Sequence, residues 1–165
     1  MSQGGRAGAS ETIVEAASAA DYAAAHTLFE EYAAQLGVDL CFQGFTRELE
    51  HLPEMYGRPS GSLLLARGGP QWLGCGALRR LDARRCEMKR LYVREAARGL
   101  GLGGRLAAAL IARARELGYA SMVLDTLAGM RAARGLYRSL GFREIAPYYR
   151  NPLADAVYLE LDLDP

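Results

Sequence analysis

Residues 98–104 read RGLGLGG, and they run straight into RLAAALIARARELG at 105–118. Four glycines in six residues stand at the mouth of a helical pattern. Glycine carries a backbone entropy cost, so such a cluster marks either a loose loop or a place where the backbone must approach something closely. The helix behind it favours close approach. A helix N-terminus has unpaired amide donors and partial positive charge, which suit a phosphate. Leu106, Leu110, Ala114 and Leu117 recur at helical spacing, with Arg105, Arg113 and Glu116 off that stripe and Gly118 placed to end it.

Working outward, CEMKRLYV (86–93) precedes the loop as a strand and YASMVLDT (119–126) follows the helix as another. Strand, helix and strand of these lengths predict a right-handed parallel crossover. Upstream, TIVEAA reads as a first strand, and Ser18 or Asp21 can cap a helix from about Tyr22 to Leu36. GFTRELEHL reads as a second helix with Pro53 beyond its end, and SLLLAR and QWLGCGALRRL as strands. Downstream, GMRAARGLYRSLGF predicts a helix with Ala133, Leu136, Tyr137 and Leu140 on one side; FREI and AVYLELDL are closing strands. The order predicts an α/β fold, a mixed sheet flanked by helices.

Composition excludes several functions. With 165 residues and net charge +1, the chain predicts one domain over 11–165 behind a disordered tail at 1–10, with no bulk field for nucleic acid or a membrane surface. No apolar run reaches the roughly 20 residues of a membrane helix, and the first ten residues lack a signal peptide's apolar core. Cys41, Cys75 and Cys86, beside only His26 and His51, have no metal-ligand spacing. No metal is expected, and buried free thiols in a reducing cytoplasm are. Lys89 is the only lysine; arginine supplies every other cation of this class.

Gly99, Gly101 and Gly104 also fit the G-x-G-x-x-G of a dinucleotide fold, with Asp125 about 20 residues on. There, however, the first glycine turns directly off the strand, whereas REAAR separates Val93 from Gly99, and too little chain follows Asp125. A second pattern fits better. Arg98, Gly101 and Gly103 stand as R-x-x-G-x-G ahead of a helix, EMKRLYV precedes them, and AARGLYRSLGF follows at 132–142. In these motifs, and in element order over nearly the whole chain, the sequence resembles the GNAT family of N-acetyltransferases. Met130 departs from the family's asparagine seven residues before the helix tyrosine.

The resemblance implies a splayed sheet and acetyl-CoA as acyl donor, with its pyrophosphate over the amides of Gly99, Gly101, Gly103, Gly104 and Arg105. Arg98 and Arg105 either add charged contacts or are solvated. Backbone groups of Leu91 and Val93 would hold the pantetheine arm and polarise the thioester. Glu87 matches the strand glutamate that serves some members as base, or it is a carboxylate paired with Lys89 or Arg90. Tyr137 matches the tyrosine that donates to the leaving sulfur, or it is core. The acceptor would be a primary amine of a small molecule, amino-acid-like if Arg90 or Arg150 takes a carboxylate in the loop of Tyr148, Tyr149, Arg150 and Asn151; a turn-building role fits that loop equally. A homodimer is compatible with the family. The rivals are a non-catalytic acyl-CoA-binding module and a protein lysine or N-terminal acetyltransferase.

Overall fold

The computed structural model describes residues 10–164, apart from the Phe42 side chain. The expected tail at 1–10 lies, except for Ser10, outside them. Strand β1 (Thr12–Glu15) leads into helix α1 (Ala19–Leu36). Ser18 caps α1: its hydroxyl accepts from the Asp21 amide at 3.1 Å, and the Asp21 carboxylate accepts from the amides of Ala17 and Ser18 at 3.0 and 3.2 Å. This reciprocal box satisfies the first orphan donors of the helix. It starts α1 three residues before the position expected from apolar spacing.

After a 3-10 turn at Leu40–Gln43, the single helix expected over GFTRELEHL is two, α2 (Phe45–Glu50) and α3 (Leu52–Tyr56). Pro53 therefore lies in the first turn of α3 rather than past a helix end. Proline is tolerated there because its missing N–H would be unpaired anyway. Strands β2 (Ser62–Gly68), β3 (Gln71–Arg80) and β4 (Arg85–Val93) follow, then α4 (Leu102–Glu116), β5 (Ser121–Leu127), α5 (Arg131–Ser139), β6 (Arg143–Ile145) and β7 (Ala156–Asp162). They build one sheet in the order β1-β2-β3-β4-β5-β7-β6. The only parallel pair among the described strands is β4 with β5, spanned by α4 as expected.

Both faces of the sheet are covered, so β2 is apolar at successive positions. Leu64 and Ala66 join one core with Leu102, Leu106 and Leu110 of α4, while Leu63 and Leu65 join the other with Leu28, Phe29 and Tyr56. The period of two along a strand divides them between the faces.

Strand β4 carries the fold's main irregularity. Its pairing with β3 slips between Cys75/Tyr92 and Ala77/Lys89, so Arg90 and Leu91 together face Gly76. Arg90 has φ 60°, in the left-handed region that non-glycine residues rarely adopt. A Cβ on Gly76 would lie 2.9 Å from Leu110 Cδ1 and 3.2 Å from Leu91 Cδ1, so the bulge needs glycine opposite. The guanidinium of Arg90 is held bidentately by Glu48 of α2 at 2.8 and 2.9 Å, under the rings of Tyr32 and Phe45. Both side chains are at most 3% exposed.

Such a pair is costly to break from one side, because the remaining charge stays buried. Glu48→Ala is expected to lower unfolding free energy by about 3–5 kcal/mol in urea titration, and Glu48→Leu combined with Arg90→Met to recover much of it. A loss under about 1 kcal/mol in Glu48→Ala would show that the pair does not anchor α2 to the bulge.

Candidate active site

Strands β4 and β5 pair only at Arg85/Ser121, Cys86/Met122 and Glu87/Val123, and then diverge. Beyond that point β5 keeps β7 as its neighbour through Leu127, and β4 keeps β3 through Val93. The gap opens into a cleft of about 1040 Å³ between Met88–Val93 on one side and Leu124–Leu127 on the other. A strand edge facing such a gap retains unpaired backbone donors and acceptors, which an extended ligand can satisfy.

The glycine loop closes one end of the cleft. Gly99 and Gly101 have φ of 87° and 74°, conformations that glycine adopts without Cβ strain. Gly101 is the N-cap of α4, and the first in-helix bond runs from the Arg105 amide to the Gly101 carbonyl at 3.1 Å. The amides of Leu102, Gly103 and Gly104 therefore have no partner in the helix. Gly99, Gly101 and Gly103 line the cleft; Gly104 and Arg105 do not. The Arg105 amide expected to face an anion is thus spent within the helix, and its guanidinium donates to the Glu11 carbonyl at 3.0 Å. Arg98 lines the cleft, bound to the Val93 carbonyl and to Gln35 at 3.1 and 2.7 Å.

Tyr137 stands at the middle of the cleft on α5, 7% exposed, with its ring edge-on to Phe142 at 5.7 Å. Its hydroxyl has no hydrogen-bond partner among the described residues. Burial, with the Asp125 carboxylate nearby, pushes its ionisation upward, so it stays protonated and able to donate. Met130, in the place where asparagine was the expected type, also lines the cleft and accepts from the Thr126 hydroxyl at 3.6 Å.

The other end is a polar network drawn from four parts of the chain. Tyr149 donates to Asp125 of β5 at 2.7 Å and accepts from Gln43 and Asn151, each at 3.0 Å. Gln43 in turn accepts from Lys89 of β4 at 3.3 Å. Lys89, Gln43 and Asp125 all line the cleft. Arg150 is exposed and makes no hydrogen bond or ion pair among the described residues.

Two expected site residues are committed to partners within the protein. Glu87 is 1% exposed, sits where β4 and β5 are still paired, and is absent from the cleft wall. Its oxygens accept from Arg79 at 2.8 Å and from the Tyr148 hydroxyl at 2.6 Å, with Lys89 at 3.9 Å. Burial alone would raise its carboxyl; the charges of Lys89 and Arg79 and the hydrogen bonds from Tyr148 and Arg79 outweigh that and hold it below the usual range. Arg90 lines the cleft, but Glu48 occupies its guanidinium, so it has no fork left for a substrate carboxylate. The thiols also differ from expectation: Cys75 and Cys86 are buried but Cys41 is exposed. Among the described residues, no group of three His, Cys, Asp or Glu could hold a metal, and no helix is long and apolar enough to cross a membrane.

Gln43, Tyr32 and the cleft-facing role of Lys89 were not singled out from sequence, and Asp125 was noted only as the acidic residue of the rejected dinucleotide pattern. Asp125 carried a usable signal as the one charged residue of strand SMVLDTL, and Lys89 as the single lysine of the chain. Gln43 and Tyr32 carried none, because folding alone brings them to the cleft.

Comparison with known proteins accords with this geometry. The acetyltransferase (GNAT) family profile matches residues 18–142. An uncharacterized N-acetyltransferase of Schizosaccharomyces pombe is 44% identical over 138 residues, covering 82% of this chain and 85% of that protein. The L-methionine sulfoximine/L-methionine sulfone acetyltransferase of Pseudomonas aeruginosa is 40% identical over 81 residues, 46% of each chain. A GNAT-family acetyltransferase structure from Staphylococcus aureus superposes with TM-score 0.78 at 22% identity, covering 94% of this chain and all of that one. A Salmonella typhimurium structure described with its cofactor acetyl-CoA superposes with TM-score 0.69 at 24% identity, covering 94% and 95%. The chain belongs to the acetyltransferase (GNAT) family and is an N-acetyltransferase.

Proposed function

We propose that the protein transfers an acetyl group from acetyl-CoA to the primary amine of a small molecule by direct attack. The observation that carries this reading is the opening between β4 and β5, with free helix amides at one end and a paired carboxylate at the other. The donor fits the residues present. The amides of Leu102, Gly103 and Gly104 suit a pyrophosphate, and a Cβ on Gly103 would find nothing nearer than 3.9 Å, so the approach is open. The free edge of β4 at Leu91 and Val93 can pair with an extended amide-bearing arm and polarise a thioester carbonyl.

An alkyl amine has a pKa of about 10.4 and must lose a proton to attack. The base role passes from Glu87, which lies behind the wall, to Asp125, whose carboxylate lines the cleft. As the C–N bond forms and the C–S bond breaks, Asp125 takes the amine proton directly or through water, and Tyr137 donates to the departing sulfur. The partial likeness to a methionine sulfoximine acetyltransferase supports a small acceptor.

Release of free thiol from acetyl-CoA over a panel of amines, amino acids and peptides tests the reading; release only with peptides would contradict it. Gly103→Asp places an anion against the pyrophosphate site without filling occupied space. It is expected to weaken acetyl-CoA binding at least about 100-fold in calorimetric titration, since apposed like charges cost several kcal/mol. Unchanged affinity would remove the loop from the site. Tyr137→Phe keeps the ring, and should lower kcat and kcat/KM together by roughly 10- to 10³-fold with little change in donor affinity.

Asp125→Asn retains an acceptor for Tyr149 and is expected to cost about 100-fold in kcat. Glu87→Gln separates structure from chemistry. A carboxylate with a depressed folded-state pKa stabilises the fold above its unfolded value, about 4.3, and that stability is lost as pH falls through the folded value. The melting temperature of the parent should therefore fall more steeply below about pH 4.3 than that of Glu87→Gln. The acidic limb of activity should stay in place in this variant; a displaced limb would return the base role to Glu87.

A further inference from the structure

Lys89 is the single lysine of a chain that otherwise uses arginine throughout. Its side chain is 7% exposed, and it lines the cleft. The charged groups around it do not balance. Three cations, Arg79, Lys89 and Arg90, face two carboxylates, Glu48 and Glu87. Arg90 holds both oxygens of Glu48, while Arg79 and the Tyr148 hydroxyl hold those of Glu87. Lys89 is left 3.9 Å from Glu87, with one hydrogen bond of 3.3 Å to Gln43.

An ammonium has three donors, and a buried cation short of partners is unfavourable. Burial, with Arg90 and Arg79 adding to it, outweighs Glu87 and pulls the ammonium below the usual lysine range, as it would in a site awaiting an anion. The opposite charge stands across the cleft. Asp125 has the Tyr149 hydroxyl as its hydrogen-bond donor and, among the described residues, no cation in salt-bridge contact. Gln43 and Tyr149 tie the two sides together, from Lys89 through Gln43 and Tyr149 to Asp125.

We propose that the acceptor is an α-amino acid, its carboxylate paired with Lys89 and its amine presented to Asp125. The other cations in the wall do not compete for the carboxylate. Arg90 is filled by Glu48, Arg98 is bound to Val93 and Gln35, and Arg131 stands at the start of α5, beyond the open ends of the strands.

The inference rests on the proposed small-amine reading, and the experiment separates their failures. L-leucine, L-methionine and L-phenylalanine are each compared with the decarboxylated amine and the methyl ester, in the parent and in Lys89→Met, by thiol release. For the best acceptor in the parent, loss of the carboxylate is expected to lower kcat/KM at least about tenfold, mainly through KM, as loss of a charge-assisted hydrogen bond does. In Lys89→Met that discrimination should fall below about twofold. Equal reactivity of acid, ester and amine in the parent overturns the inference and leaves the amine transferase standing. Absence of thiol release with every amine overturns both. A Lys89→Met variant that loses kcat equally on all acceptors overturns the inference by making Lys89 a proton acceptor. If that variant melts before assay, the parent comparison decides alone.

Discussion

Strand β4 is paired with β3 on both sides of its bulge, through to Val93, but with β5 over only three residues, and the rest of the molecule is arranged around that imbalance. A buried backbone edge requires hydrogen-bond partners. Here the partners are withheld from Met88 onward, although both strands continue in the sheet. The stretch of β4 that has left β5 carries the bulge at Arg90, and the buried pair of Arg90 with Glu48 ties that bulge to α2, a helix outside the sheet.

The electrostatics follow from the same arrangement. The residues nearest the closed end of the gap, Glu87 and Lys89, are buried on the same face of the sheet and must find partners inside the protein. Arg79 lies directly across from Glu87 on β3 and takes it, which leaves Lys89 short. At the open end the unpaired amides at the start of α4 supply positive potential, with the helix dipole behind them, beside the guanidiniums of Arg98 and Arg131. The cleft therefore presents backbone positivity at one end and a cation and an anion on opposite walls at the other.

How much of this could be read from the sequence depends on where each constraint originates. The glycine loop was legible because glycine identity dictates backbone conformation, as the positive φ of Gly99 and Gly101 bears out. The α4 crossover was legible from apolar spacing alone. The partner of Glu87 was not, since Lys89 and Arg90 are its sequence neighbours but Arg79 is its neighbour across the ladder. The antiparallel register of β3 and β4 would have revealed it. The Tyr149–Gln43 contact spans 106 residues and depends on where two loops meet, so local pattern carried no trace of it. The occupation of Arg90 was equally hidden: a strand arginine in a functional motif reads as available until the bulge and α2 are placed.

The central claim is that the unpaired edge of β4 and the first turn of α4 together receive the acyl donor. Amide hydrogen exchange with and without acetyl-CoA tests it most directly. The account expects protection to rise in the segments 88–93 and 99–104, and to stay unchanged at 85–87, where β4 is already paired with β5. Protection confined to other parts of the chain, with these two segments unaltered, would contradict it.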